Sequence, residues 1–262
     1  LNNKGEVNVQ NITSEITSTE HHNKATQAAN TTNSSPAATS EQLPEYLDDV
    51  YNWAYVNERN VEWLDRNVVF NVLLFGNGPR LKRAYIDHIQ PGMRVWQVAH
   101  VYGDLVNNAA EKVGSNGQFD ITDIATIQIN HTKRKIGHLP QVAIHHIDAA
   151  QWTGKNYDLT CSFFLLHEVP DNKKTEILNQ MLRSIQPNGQ LVFVDYHRPA
   201  LWNPVGWLLR WVNAKLEPFA EALWHKEIKD FADPALADQF VWHKRTFFGG
   251  VYQAVYAEYK RA

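Results

Sequence analysis

The chain of 262 residues is 44% hydrophobic and carries a net charge of -3 at pH 7. This length and apolar content suffice for one sizeable α/β core. A pI near 6.5 with scattered basic residues gives no reason to expect a nucleic-acid partner. No apolar run approaches the ~20 residues that a membrane-spanning helix needs, and the single cysteine, Cys161, cannot form an internal disulfide.

Residues 1–42 are rich in Asn, Thr, Ser and Ala and lack aromatic side chains. Such a segment cannot bury enough apolar surface to offset the entropy of ordering, so we predict a disordered polar tail. In residues 43–90 apolar side chains recur at helical spacing, which predicts an N-terminal helical cap. Its aromatic residues are either core-packing side chains or contacts to a ligand, and Tyr55 is our candidate for a substrate contact.

Residues 91–262 alternate strand-like and helix-like segments. The stretch Arg94–Leu105 predicts a strand, a tight turn at Gly103 and a helix start. This rhythm predicts a parallel, doubly wound sheet, and two runs around Gly249-Gly250 predict a closing antiparallel hairpin. Further strands are predicted at 118–123, 142–147, 157–166 and 190–195, and helices at 68–75, 81–89, 124–136 and 173–185. We assign residues 200–240 of this domain to a lid.

The turn after the first strand is where an open α/β sheet binds a nucleotide. In class I S-adenosyl-L-methionine (SAM) methyltransferases the motif is an apolar strand, an acid, one residue and Gly-x-Gly-x-Gly. In this chain Gln97 occupies the position of the acid, and the positions of the three glycines are occupied by Ala99, Val101 and Gly103. Only the last glycine survives, so the glycine signal alone is weak. The closing hairpin is nevertheless typical of these enzymes, and we predict their Rossmann-like fold with capping N-terminal helices.

Two acids follow the next two strands. Asp123 ends the second strand, 20 residues beyond Gly103, where a carboxylate accepts hydrogen bonds from ribose hydroxyls; the alternative is a helix N-cap. Asp148 follows the third strand and is either an adenine contact or a turn aspartate. Both acids at their expected places favour nucleoside binding. The predicted cofactor-binding residues are Ala99, Val101, Tyr102, Gly103, Asp123, Ile124, Asp148, Ala149 and Phe163.

Acids and imidazoles also end the fourth and fifth strands. His167-Glu168 and Asp195-Tyr-His197 follow strands that are adjacent in the expected sheet, so one cleft would receive all four groups. Our catalytic candidates are His167, Glu168 and His197, and our candidate metal ligands are Glu168, Asp195 and His197, a donor set suited to Mg2+ or Mn2+. The alternative is that His167 and Glu168 only cap and orient loops.

Six motifs are spread along the chain: Trp53-Ala-Tyr-Val56, Val98-Ala-His-Val-Tyr-Gly-Asp-Leu105, Phe163-Phe-Leu-Leu-His-Glu168, Val194-Asp-Tyr-His-Arg-Pro199, Leu216-Glu-Pro-Phe219 and Phe248-Gly-Gly-Val-Tyr252. Together they resemble the rhodoquinone biosynthesis family (RquA), a relative of the ubiquinone-pathway methyltransferases. The resemblance covers about residues 51–259. It implies conversion of ubiquinone to rhodoquinone, in which an amino group donated by SAM replaces a ring methoxy group and Mn2+ is required.

The altered loop fits this chemistry. Glycines at 99 and 101 would let the methionine half of SAM lie against the backbone, whereas Ala99 and Val101 fill that space. Two alternatives stay open. One is a conventional SAM-dependent methyltransferase that acts on a quinone or prenylated phenol, and the other is a non-catalytic quinone-binding protein.

The segment 201–224 carries four tryptophans and is apolar on more than one face. We interpret it as a wall for a long isoprenoid quinone or as a peripheral membrane contact; core or dimer packing is the alternative. The substrate candidates are Tyr55, Trp202, Trp207 and Trp211. Quinone chemistry implies a membrane surface, either the cytoplasmic face in bacteria or the matrix side of the mitochondrial inner membrane. The sequence does not give the oligomeric state.

Overall fold

The computed structural model describes residues 58–209 and 219–260. The predicted tail at 1–42, Tyr55 and Trp211 lie outside the described residues. Among the described residues, no helix combines the length and apolar character needed to span a bilayer.

Seven strands form a single sheet in the order β3-β2-β1-β4-β5-β7-β6. The strands are β1 (Arg94–Val98), β2 (Gln118–Asp123), β3 (Val142–His146), β4 (Tyr157–Phe163), β5 (Ile185–Tyr196), β6 (Phe240–Phe247) and β7 (Tyr252–Tyr259). The first five run parallel, and β7 lies antiparallel between β5 and β6. The chain runs outward in both directions from the β1–β4 pair, which makes that pair the topological switch point. The predicted fold class is confirmed.

The described helices flank the strands along the chain. They are α1 (Glu58–Leu64), α2 (Asn67–Leu73), α3 (Gly78–Ile86), α4 (Leu105–Val113), α5 (Thr126–Ile136), α6 (Asp171–Ser184), α7 (Ala222–His225) and α8 (Pro234–Ala237). Residues 204–209 are also helical. Helix α3 begins at Gly78, earlier than predicted, because Pro79 occupies its first turn, where its missing N–H breaks no helical hydrogen bond.

The apolar content of the central strands follows from their burial on both faces. In β4, six of the seven residues are buried, as expected for a strand covered by helices on each side. One apolar cluster includes Leu81 and Leu105 of α3 and α4. The other includes Leu178 and Met181 of α6.

Strand β5 differs from the prediction at its start. It begins at Ile185 and runs through Pro187, whereas the sequence predicted a break there and a strand from Gln190. The parallel register shifts in this region, with Tyr157 opposite Ile185 and Leu159 opposite Gln190. An irregularity in the ladder accommodates a proline that a regular central strand would exclude.

Candidate cofactor and catalytic site

A cavity opens at the carboxyl ends of β1, β2 and β4, at the topological switch point. Eight of the nine predicted cofactor-binding residues line it, and the structure thus brings together segments that are far apart in sequence. Those eight are Ala99, Val101, Tyr102, Asp123, Ile124, Asp148, Ala149 and Phe163. Gly103 is not among the lining residues. Two catalytic candidates, His167 and Glu168, also line the cavity.

The loop that follows β1 keeps a glycine-type backbone without all of its glycines. Ala99 has φ 65° and Gly103 has φ 79°, both in the left-handed region that favours glycine. The Ala99 N–H donates to the carbonyl of Thr122 at 2.9 Å, which ties the loop to the end of β2. Val101 is 4% exposed and belongs to the core cluster that also contains Phe70.

Asp123 lies at the base of the cavity and accepts two backbone hydrogen bonds. His100 N–H donates to Oδ2 and Ala125 N–H to Oδ1, each at 2.8 Å. Burial raises the pKa of Asp123, although the backbone N–H groups of His100, Ala125 and Ile124 partly offset this. The N-cap of α5 is Ala125, so Asp123 is not the simple helix cap that the sequence left as an alternative. A carboxylate can accept about four hydrogen bonds, so acceptor capacity remains for a ribose hydroxyl.

Asp148 combines a turn role with a place in the cavity wall. Its Oδ1 accepts from Ala150 N–H at 2.9 Å and caps the short 3-10 turn Ala149–Gln151. Its Oδ2 accepts from Lys173 Nζ at 3.1 Å. Asp148 therefore caps a turn and also lines the cavity, so the first role does not exclude the second.

His167 and Asp195 meet where β4 and β5 end. The Nδ1 of His167 lies 2.9 Å from Asp195 Oδ1, and Leu166 N–H donates to Oδ2 at 2.9 Å. Both side chains are buried. On the other side of the ring, Nε2 lies 3.9 Å from a carboxylate oxygen of Glu168. Because a carboxylate only accepts hydrogen bonds, Nδ1 carries a proton, and in the neutral ring Nε2 is the nitrogen that can accept one.

The structure does not group Glu168, Asp195 and His197 as a metal site. The Nδ1 of His197 lies 3.0 Å from the Gly250 carbonyl, and its Nε2 lies 3.3 Å from Lys244 Nζ. His197 N–H also donates to the Val251 carbonyl at 2.9 Å, so the hairpin turn holds this residue away from the cavity. Both oxygens of Asp195 already accept hydrogen bonds from the chain after β4.

Two substrate candidates fall within the described residues, and neither lines the main cavity. Trp202 is 76% exposed and Trp207 is 72% exposed. Trp207 lines a separate, smaller cavity with Leu201 and Trp224. Near the main cavity, the apolar wall is instead formed by side chains such as Phe70, Leu73, Phe164 and Tyr196.

Asp65, which is not among the residues predicted from the sequence, follows α1 and contacts residues 99–104, the loop after β1 that we call the cofactor loop. Its Oδ1 accepts from Gly103 N–H at 2.9 Å and from Lys135 Nζ at 2.6 Å. Burial raises the pKa of Asp65, but His100, His131 and Lys135 lower it more, so the pKa lies well below its usual range. Burial also lowers the pKa of His100 to about 4, despite the nearby Asp65 carboxylate. No local pattern marks Asp65, because its partners are at least 35 positions away in the sequence.

Residues 95–189 match the family model described as a methyltransferase domain. Among curated relatives, the ubiquinone/menaquinone biosynthesis C-methyltransferase UbiE of Laribacter hongkongensis is 26% identical over 120 residues, which cover 45% of this chain and 48% of the relative. The UbiE of Idiomarina loihiensis is 28% identical over 140 residues, with coverages of 51% and 55%. The chain thus spans about half the length of the curated relatives it matches.

Solved structures share the fold at low identity. Human N-acetylserotonin methyltransferase, in complex with SAM, aligns with a TM-score of 0.52 at 14% identity. The alignment covers 84% of this chain and 61% of the human enzyme's chain. The mitomycin 7-O-methyltransferase MmcR aligns with a TM-score of 0.51 at 12% identity, with coverages of 76% and 60%. The domain match and the seven-stranded sheet together support the Rossmann-like fold of class I SAM methyltransferases for this chain.

Proposed function

We propose that this chain binds SAM in the cavity at the carboxyl ends of β1, β2 and β4 and transfers a group from it to the ring of an isoprenoid quinone or quinone precursor. The observation that carries the proposal is Asp123, a partly buried carboxylate that lines the cavity at the switch point and has acceptor capacity beyond its backbone hydrogen bonds. The quinone substrate is suggested by the names of the UbiE relatives and by the resemblance to the rhodoquinone family.

The residues that line the cavity suit the parts of SAM. Asp123 would accept hydrogen bonds from the ribose hydroxyls, and Asp148 would face the adenine amino group. Ile124, Ala149 and Phe163 supply the apolar surface that an adenine ring needs. When bound, SAM supplies an electrophilic methyl group on its sulfonium and an α-amino group on its methionine half.

His167 is the residue we assign as proton acceptor. Its Nδ1–H bond to Asp195 fixes the tautomer and leaves Nε2 basic, in a residue that lines the cavity. In methyl transfer to carbon, an electron-rich ring carbon of a phenol or hydroquinone precursor would form the new C–C bond while the sulfonium–methyl bond breaks and S-adenosylhomocysteine leaves. The proton released from that ring carbon then passes to Nε2.

Two reactions are candidates for this site. Methyl transfer to the ring is favoured by the relatives, which are C-methyltransferases by name. Amino transfer to ubiquinone is favoured by the loop, where Ala99 and the buried Val101 replace two glycines. The manganese that the resemblance implies finds no grouped ligand set in Glu168, Asp195 and His197, so we derive no step through it.

Contact with a membrane surface is part of the proposal, because an isoprenoid quinone lies in a bilayer. Residues 201–208 present four strongly exposed apolar side chains, Leu201, Trp202, Trp207 and Leu208, which are 49–82% exposed. Tryptophan suits the interfacial region of a bilayer. Flotation with phospholipid vesicles tests this: the full chain should co-float, and a Trp202→Ser, Trp207→Ser variant should lose most of that binding. Equal flotation of both proteins would contradict membrane contact by this segment.

Mass spectrometry of quinone products tests the reaction. Purified protein is incubated separately with a short-chain ubiquinone and with a precursor that lacks the ring methyl group, using SAM with ¹⁵N in its amino group and with Mn2+ present. A methylated precursor supports methyl transfer, and a labelled aminoquinone that has lost methoxy supports amino transfer. His167→Gln should abolish either product, while retention of SAM binding shows that the site is intact. No product from either quinone, with SAM still bound, would contradict the proposal.

A further inference from the structure

The side chains of Asp65, His100 and His131 converge beneath the cofactor loop, and we call these three residues the Asp65 cluster. One ligand-type atom from each lies within 4.8 Å of the other two. The Nε2 of His131 is 3.2 Å from Asp65 Oδ2, and the Nε2 of His100 is 3.9 Å from Asp65 Oδ1. We propose that the Asp65 cluster is a binding site for a divalent first-row transition-metal ion.

The Nε2 atoms of both imidazoles face the Asp65 carboxylate without forming a well-aligned hydrogen bond to it. Within the described part of the chain, the Nε2 atoms of His100 and His131 are buried and have no aligned hydrogen-bond partner. The side chain of His100 is 1% exposed and that of His131 is 10% exposed. A buried polar atom without a partner is costly, and a metal ion between these nitrogens would remove that cost.

The tautomer of His100 is set by its neighbour on the opposite side of the ring. Thr132 Oγ1 lies 2.7 Å from the Gln128 carbonyl and 2.8 Å from His100 Nδ1. The carbonyl can only accept, so the hydroxyl proton points to Gln128 and the hydroxyl oxygen accepts from His100 Nδ1–H. The Nε2 of His100 therefore carries a lone pair directed into the cluster. A second-shell hydrogen bond of this kind commonly orients a metal-bound histidine.

Lys135 occupies the opposite side of the carboxylate. Its Nζ lies 2.6 Å from Asp65 Oδ1, and Gly103 N–H binds the same oxygen. Asp65 Oδ2 faces His131, so it is the oxygen available to an ion. Ligand atoms around an ion with bonds of ~2.1 Å lie roughly 3–4.2 Å apart, so the 3.2 Å pair of His131 and Asp65 already fits, and the wider separations in the cluster would close on binding. The nearby ammonium disfavours a second cation, which limits the affinity of the unmodified chain.

The donor set indicates the class of ion. Two imidazoles and one carboxylate suit Mn2+, Fe2+, Co2+ and Zn2+ better than Mg2+ or Ca2+, which prefer oxygen donors. Of the three residues, His100 lines the cofactor cavity, while Asp65 and His131 do not. The ion would therefore join the end of α1 to the cofactor loop and to α5 rather than contact the reacting groups. This inference is independent of the reaction proposed above.

Isothermal titration calorimetry on the full chain, freed of metal with a chelator, tests the site with Mn2+ alone and with Zn2+ alone. We expect one ion per chain for at least one of the two metals. His131→Phe keeps a ring in place but removes the nitrogen, and it should weaken binding at least about tenfold. The matched control is His138→Phe, an exposed histidine just beyond the same helix, which should bind like the unmodified chain.

Lys135→Met provides a second variant that leaves all three ligands intact. Without the competing ammonium, it should bind the ion several-fold more tightly than the unmodified chain, and the ion should raise its melting temperature. If the cluster is only an ion-pair network, Lys135→Met will bind neither metal. That result, or equal binding by the unmodified chain and His131→Phe, would overturn the proposal.

Discussion

The ring of His167 and the carboxylate of Asp195 lie 2.9 Å apart and join the chain segments that end β4 and β5. The pair depends on the sheet order, because only neighbouring parallel strands bring their carboxyl ends this close. The rings of Phe164 and Tyr196 meet the imidazole edge-on, with centroids 5.7 and 4.7 Å away. The ring is therefore fixed both by a hydrogen bond and by packing.

Asp195→Asn should lower kcat by roughly a hundredfold or more. An amide has a single acceptor atom, so either Leu166 N–H or His167 Nδ1–H loses its partner and the imidazole no longer holds one tautomer. Affinity for S-adenosylhomocysteine should change less than about threefold, because Asp195 does not line the cavity. Steady-state kinetics and calorimetry measure the two effects. Equal losses of kcat and of nucleoside affinity would show that Asp195 only supports the fold.

Asp123→Asn should weaken the binding of S-adenosylhomocysteine by about 10- to 100-fold, the range for losing charge-assisted hydrogen bonds. The amide nitrogen would also face a backbone N–H of His100 or Ala125, so the melting temperature must be measured alongside affinity. Asp238→Asn, an exposed acid in the described chain, is the matched control and should leave both quantities unchanged. Wild-type affinity in Asp123→Asn would remove the main support for nucleoside binding.

The sequence alone was sufficient to predict the parallel sheet and the position of acidic residues at the ends of its strands. Strand ends that follow a regular βα rhythm must reach one edge of a parallel sheet, which is why Asp123, Asp148 and His167 all line one cavity. Periodicity also located α6 to within two residues at its start.

Contacts set by the path of loops could not be predicted in this way. His197 follows β5 closely but is held by the Gly250 carbonyl and Lys244 of the closing hairpin. Asp65 accepts a hydrogen bond from Gly103 of the cofactor loop, although the two residues are 38 positions apart in the sequence. Neither contact has a local sequence pattern, because each depends on how separate segments pack against one another.

The pH dependence of stability should report the contact between Asp104 and Lys82. Burial raises the pKa of Asp104, but the contacts with Lys82 and Asn67 lower it by a larger amount, so its pKa lies below the usual value. The charged form thus stabilises the fold above the unfolded pKa of ~3.9, and this contribution is lost as the pH falls through the folded value. Asp104 is 40% exposed, so the contribution is at most about 1 kcal/mol.

Urea unfolding of the wild type and Asp104→Asn at a series of pH values measures this contribution. The difference in unfolding free energy should be constant from pH 7 to about pH 5 and should shrink toward zero at lower pH, where both side chains are neutral. Lys82→Met should produce a similar loss at neutral pH. A difference that does not depend on pH would show that the carboxylate charge has no part in holding the cofactor loop.

Restoring glycine in the loop separates the effects of Ala99 and Val101. Ala99→Gly should stabilise the chain by about 1 kcal/mol, because the residue already holds a φ of 65° that costs a non-glycine residue roughly that much. Val101→Gly should cost about 2–4 kcal/mol, because it empties a buried position of the core cluster. Chemical denaturation measures both changes, and the reverse order of stability would contradict the loop geometry.

The Ala99→Gly, Val101→Gly double variant tests the reaction, since it opens the space that the methionine half of SAM would occupy. If Val101 merely hinders methyl transfer, methylation of the quinone precursor should increase. If the loop is shaped for amino transfer, methylation should not increase and the yield of aminoquinone should fall.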